Sequence, residues 1–167
     1  ADELPSWEEV VAAIVEIRPH ADALASTGEP PTFFALTTAI ALVMARRAGT
    51  DWLVVEAGIG GRVDATNVFG RADVVTAVTA IGLDHTDVLG PTVAAIATEK
   101  MAVFAGRSTA VLGPQPSGEA ADVARAAAVE HGVRLVEVTA TNDWRHDAEA
   151  TASAVLAELD PSAPDPV

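Results

Sequence analysis

Four short strand-like runs, separated by helical patterns, constrain this chain more than any other feature of its sequence. They lie at Trp52–Val55, Val74–Ala80, Thr109–Leu112 and Val133–Val138. The first is a continuous apolar stretch just after a helix stop, the pattern of a strand buried on both faces. Between the later runs fall a helix predicted over 92–104 and another over 119–130, closed by Gly132. Strands alternating with helices predict an α/β fold, a parallel sheet with helices packed on it. Ligands in such sheets bind at the carboxyl ends of the strands. Two polar loops fall there, Gly58–Asn67 after the first run and Ile81–Gly90 after the second.

Two more helices precede the first strand. Ser6 and Glu9 have the spacing of a capping box, and Val10, Val11, Ile14, Val15 and Ile17 mark an apolar face behind it. Pro19 is expected to bend or end that helix. After the loop Thr27–Pro31, a helix is predicted from about Thr32 to Ala48, ended by Arg46, Arg47 and Gly49. Its residues are apolar nearly all round, so burial is expected. An Ala-rich helix is predicted over 147–159, and the Pro-rich tail 161–166 is expected to be disordered.

Acidic residues outnumber basic ones 24 to 10, a formal charge of −14. That balance argues against nucleic acid and anionic membrane surfaces, which need clustered Lys and Arg. Its simplest meaning is solubility. With no cysteine in the sequence, disulfides, thiolate nucleophiles and Cys-ligated zinc are excluded. No apolar run reaches the length of a membrane span, and the first residues lack the basic and apolar pattern of a signal peptide. A cytoplasmic location is the expectation.

Three side chains stand out near the strand ends. Glu56 leaves the first strand at its carboxyl end, where a carboxylate can ligate a hard cation such as Mg²⁺. A solvated Glu in a Gly-rich turn is the plain alternative. His85 lies past the second strand, on the same expected edge; a lone His is more often a structural hydrogen-bonder than a ligand. Lys100 falls inside the helix predicted over 92–104. An ordinary helix lysine reaching for water is the plain alternative.

Together these positions resemble a known pattern. Glu56 to Asn67, EAGIGGRVDATN, resembles the segment EVGLGGRLDATN of the bacterial folylpolyglutamate synthase/dihydrofolate synthase family. Ile81 to Gly90, IGLDHTDVLG, resembles its IGLDHTEFLG, and Thr98-Glu99-Lys100 resembles the start of its EKAGI helix. Thr32-Phe33-Phe34 is similar to the opening of its T-x-F-E segment, and Gly113-Pro114-Gln115-Pro116 to its G-x-Q-P turn. The likeness runs from about Glu9 to Glu137. It implies a three-layer, Mur-ligase-type ATPase domain over 1–139, followed by a C-terminal helix and tail over 140–167. It also implies ATP-dependent addition of L-glutamate to folate or dihydropteroate through an acyl phosphate. By the same resemblance Glu56 and His85 fall on Mg²⁺ ligands, and Lys100 on a carbamylated lysine of the catalytic site. Thr32, Phe33, Phe34, Val63, Asp64 and Ala65 fall on pterin-contacting segments.

The pattern also breaks. No G-x-x-x-x-G-K-[ST] phosphate loop occurs in the sequence, Ala35 stands where the family motif has Glu, and Met101-Ala102 replace Ala-Gly. The expectation is therefore a central piece of a ligase, inactive alone, completed by a partner chain or self-associating. A non-catalytic binding or scaffolding remnant of the same fold is the alternative. A dinucleotide-binding reading is weaker, because Gly58-x-Gly60 lacks the third glycine and precedes no clear helix.

Overall fold

The computed structural model describes residues 4–69, 74–141 and 143–159; the tail expected to be disordered lies outside them. The chain divides into two compact units between Gly58 and Ile59.

The first unit is a helix pair, α1 (Trp7–Ser26) and α2 (Phe33–Ala48). The capping box forms as expected: Ser6 Oγ accepts the Glu9 N–H at 3.2 Å, and Glu9 accepts the Ser6 N–H at 2.7 Å. Pro19 does not end α1, which runs on to Ser26. A proline removes one helical N–H bond and crowds the preceding turn, but that local cost leaves the turns on either side able to form. Thr32 caps α2, its Oγ1 accepting the Ala35 N–H at 3.1 Å, and Gly49 closes it in the left-handed conformation at φ 62°. The helices pack on each other, and Glu16 of α1 pairs with both Arg46 and Arg47 of α2.

Two expectations fail here. α2 holds no buried residue, although its sequence is apolar nearly all round. A two-helix unit covers only one stripe of each helix; Ala13 is its one buried side chain among the described residues. Trp52–Val55 forms no strand, and Val54 is 98% exposed. An apolar run sets a preference for burial, but only a paired neighbour makes a strand.

The second unit holds the sheet. Strands β1 (Val75–Val78), β2 (Thr109–Leu112) and β3 (Arg134–Glu137) pair in parallel in the order β1-β2-β3. Residue 75 stands opposite 109, and 109 opposite 134. The connections carry α3 (Thr86–Leu89), α4 (Val93–Met101) with a 3₁₀ turn over Ala102–Phe104, and α5 (Gly118–His131). Helix α6 (Trp144–Leu159) follows β3 and packs on β1 and β2.

Burial along β2 shows three layers. Successive strand residues face opposite sides. Ala110 and Leu112 join a core with Ile96, Met101, Phe104, Ala120 and Ala124, from α4, the 3₁₀ turn and α5. Val111 points the other way and is also fully buried. The helix on that face is α6. A Cβ at Gly113 would lie 2.9 Å from Thr151 Oγ1, so α6 lies directly against the end of β2. The small face of α5, with Ala120, Ala124 and Ala128 four residues apart, permits similarly close packing on the first side.

Candidate functional site

Glycine-lined contacts organise the sequence-predicted site within each unit. In the first unit Glu56 is exposed and has no hydrogen bond or ion pair among the described residues. Two residues on, Gly58 lies under the Phe34 ring: a Cβ there would meet Phe34 Cζ at 2.7 Å and Cε1 at 2.8 Å. With the ring in this position only glycine fits, and the contact brings the start of α2 to the Glu56–Gly58 segment. Phe33, by contrast, is 82% exposed. The Thr32 hydroxyl is engaged as the cap of α2.

In the second unit the loop from Ile59 to Phe69 folds around two polar side chains. Asp64 Oδ2 accepts the Ile59 N–H at 3.0 Å, while Oδ1 accepts the Thr66 N–H at 2.9 Å and the Thr66 hydroxyl at 2.5 Å. An aspartate that binds backbone on both sides of itself closes a tight loop without secondary structure. Asn67 donates from Nδ2 to the Gly61 carbonyl at 3.2 Å and from its N–H to the Asp64 carbonyl at 2.9 Å. The loop thus carries Val63, Asp64 and Ala65 on a closed arc, with Val63 92% exposed at its tip.

Two glycines dock this arc on the helices that follow. Gly60, at φ 67°, faces Leu89 of α3. A Cβ at Gly61 would lie 2.7 Å from Val103 Cγ1, 2.8 Å from the Lys100 carbonyl oxygen and 2.9 Å from that of Glu99. The loop therefore rests on the end of α4, the helix that carries Lys100. Arg62 adds an ion pair to Glu99 at 3.2 Å, a surface contact of small energetic weight.

His85 stands where the chain leaves β1 and enters α3. It is the one non-glycine residue with positive φ among the described residues, at φ 51° and ψ 39°. That conformation costs a side chain with a Cβ roughly 1–2 kcal/mol, and such strain gathers at functional positions. Asp84 holds the turn, its Oδ1 accepting the His85 N–H at 2.8 Å, and its Oδ2 lies 3.7 Å from Nε2. Lys100 is half-buried in the last turn of α4.

The metal reading gains no assembled shell from these contacts. Mg²⁺ takes a near-octahedral set of oxygens. Glu56 belongs to the first unit, and His85, with Asp84 beside it, to the second. Neither unit by itself makes such a set, and no group of three or more His, Asp or Glu side chains that could hold a metal occurs among the described residues.

Three further residues shape the site, and no motif marked the role of any of them. Gln115 ties the ends of two strands together, accepting the Ile81 N–H at 3.1 Å and donating to the Thr79 and Gly113 carbonyls at 3.0 and 2.8 Å. The other two are Asn67 and Arg107. Asn67 closes the Glu56–Asn67 segment and Gln115 sits in the G-x-Q-P turn, but neither motif gives its side chain a role. Beyond that turn, a cavity of about 230 Å³ opens where β2 and β3 end and α5 begins, walled by Gln115, Ser117, Arg125 and Glu137.

A parallel sheet layered between helices, with a polar loop after β1, defines an α/β domain of the Mur-ligase type. No protein-family model matches the chain. Relatives do. The chain is 45% identical over 114 residues to the probable bifunctional folylpolyglutamate synthase/dihydropteroate synthase of Haloferax volcanii, covering 68% of the chain and 13% of that relative. It is 39% identical over 117 residues to the dihydrofolate synthase/folylpolyglutamate synthase of Escherichia coli, covering 68% of the chain and 27% of that relative. The Mycobacterium tuberculosis folylpolyglutamate synthase, solved in complex with ADP and AMPPCP, superposes with a TM-score of 0.69 at 33% identity, over 80% of this chain and 31% of that one. The chain belongs to the folylpolyglutamate synthase/dihydrofolate synthase family and spans less than a third of the length of these relatives.

Proposed function

We propose that this chain contributes the pterin-facing and metal-facing part of an ATP-dependent ligase that adds L-glutamate to folate or dihydropteroate. In that reaction ATP phosphorylates the substrate carboxylate, and the glutamate amine displaces phosphate to form the amide. The observation that carries the reading is the loop closed by Asp64 and docked through Gly61 on the helix of Lys100. It links the proposed pterin contacts Val63, Asp64 and Ala65 rigidly to the proposed carbamylation site. Thr32, Phe33 and Phe34 are the matching contacts on the first unit, supported by the seat of Phe34 on Gly58.

Glu56 and His85 are the proposed Mg²⁺ ligands, which would neutralise charge on the transferring phosphoryl group when the ion is bound. The strained backbone at His85 supports a functional role there. These 167 residues contain no phosphate loop, and by themselves they are proposed to turn over no ATP. The exposed run Trp52–Val55 supports burial against a further polypeptide surface.

A segment exchange tests the proposal. Residues 56–104 replace the matching segment of the Escherichia coli relative, and ATP-dependent glutamate addition is measured. We expect a working ligase that loses at least about a hundredfold in rate on Lys100→Ala, the scale of removing one electrostatic group from an active site. A folded exchange protein that works equally well with Lys100→Ala would overturn the assignment. The 167-residue chain assayed alone is expected to show no turnover.

A further inference from the structure

Arg107 is the most deeply buried charged residue of the described chain, 5% exposed, just ahead of β2. It lies outside each of the short motifs that resemble the family, and it belongs to no ion pair among the described residues. Burying a guanidinium beside neutral groups is costly unless its donors are used for something specific. One terminal nitrogen donates to Asn67 Oδ1 at 2.8 Å and the other to the Phe69 carbonyl, while Nε has no partner. Its own N–H bonds to the Phe104 carbonyl at 3.0 Å, so the base of the side chain is fixed to the 3₁₀ turn behind α4.

The consequence lies in the Asn67 amide. An amide has one acceptor end and one donor end. Arg107, which can only donate, takes the oxygen end and thereby turns Nδ2 to the Gly61 carbonyl. Gly61 is the residue seated on the Lys100 and Glu99 carbonyls. The order of contacts runs from Arg107 through Asn67 to Gly61, closing the arc that holds Val63, Asp64 and Ala65.

We infer that Arg107 is a positioning residue for the proposed substrate loop: its two-pronged contact sets the Asn67 amide and pins the arc 61–67 against α4. The link to substrate rests on the proposed function; the clamp itself does not.

Hydrogen exchange on the 167-residue chain separates the two. Arg107→Met fills the same volume without charge, so a role in core packing alone would survive it. We expect the Thr66 and Asn67 amides to exchange about tenfold to a hundredfold faster, the scale of a lost hydrogen bond to a charged group. Amides of Ala110, Val111, Leu135 and Val136 should stay within about twofold of wild type. Arg107→Lys, which keeps the charge but not the fork, should fall between. Should Arg107→Met fail to fold, Asn67→Ala, which removes the clamped amide from a less buried position, is expected to free the Thr66 amide in the same way. Unchanged loop exchange, or loop and sheet accelerating together, overturns the inference. Folic acid titrated into the same proteins reads the second link: binding is expected in wild type and at least about tenfold weaker in Arg107→Met, matching the loss of loop order. Faster loop exchange with folic acid bound equally well would uphold the clamp and sink the assignment of the loop to pterin.

Discussion

Replacing Gly61 with alanine puts a methyl group where the loop meets the end of α4. The new Cβ would sit 2.8 Å from the Lys100 carbonyl oxygen and 2.9 Å from that of Glu99, besides Val103 Cγ1 at 2.7 Å. A valine methyl can turn aside, but two carbonyls within a helical turn cannot. The loop must therefore lift by several tenths of an ångström, loosening the Asn67 bond to the Gly61 carbonyl. Overpacking of this kind costs about 1–3 kcal/mol. Two of the three contacts being backbone places the expectation near the upper end, about 2–3 kcal/mol. For a unit of roughly 100 residues that lowers the melting temperature by about 10 °C. Gly118→Ala is the control, because nothing lies within 4 Å of its added Cβ and its backbone is not in the positive-φ range. That variant should melt at or slightly above wild type, by up to about 1 kcal/mol. Thermal melts followed by far-ultraviolet circular dichroism read both. A Gly61→Ala protein melting within about 2 °C of wild type would refute the docking of this loop on α4.

Acid should weaken the fold in part through one ion pair of the second unit. The Arg125 guanidinium beside Glu137, through two hydrogen bonds, holds that carboxyl below its ordinary value of 4.5. A carboxyl lowered on folding adds stability that is complete above about pH 4.5 and is lost as the pH falls through its lower folded value. Melting temperatures taken from pH 6 to pH 3 should fall less steeply in Glu137→Gln than in wild type, and parallel curves would contradict this. Gly58→Ala should be mild, within about 1 kcal/mol of wild type, because the clash is with the free end of the part-exposed Phe34 ring. A loss as large as that of Gly61→Ala would mean that the ring cannot move.

Local signals in the sequence specify structure well where the chemistry is local. The Ser6–Glu9 box and the left-handed glycines 49 and 132 all stand where spacing alone puts them. Strands β1, β2 and β3 fall inside their predicted runs, since each sends an apolar side chain into the core, Val78, Leu112 and Leu135 among them. Helix α3 went unread because four residues entered through a strained histidine carry no periodic pattern. The apolar patterns of Trp52–Val55 and α2 predict burial, yet burial requires a partner surface that a local pattern cannot specify. The polar loops were legible as loops. Their internal order was not, because Asn67 meets Arg107 across 40 residues of sequence and Gln115 meets Ile81 across 34.

The central claim is that this loop and the start of α2 face a pterin. Phe33 and Val63 test it with least ambiguity: at 82% and 92% exposure they have little packing to lose, so changing them should leave the fold intact. Calorimetric titration of folic acid into the 167-residue chain, beside Phe33→Ser and Val63→Asp, is the direct measurement. The account predicts saturable binding by wild type and at least about fivefold weaker binding by each variant, the scale of one lost apolar contact of about 1 kcal/mol, with melting temperatures unchanged. Absence of binding by wild type, or equal affinity in all three proteins, would contradict it.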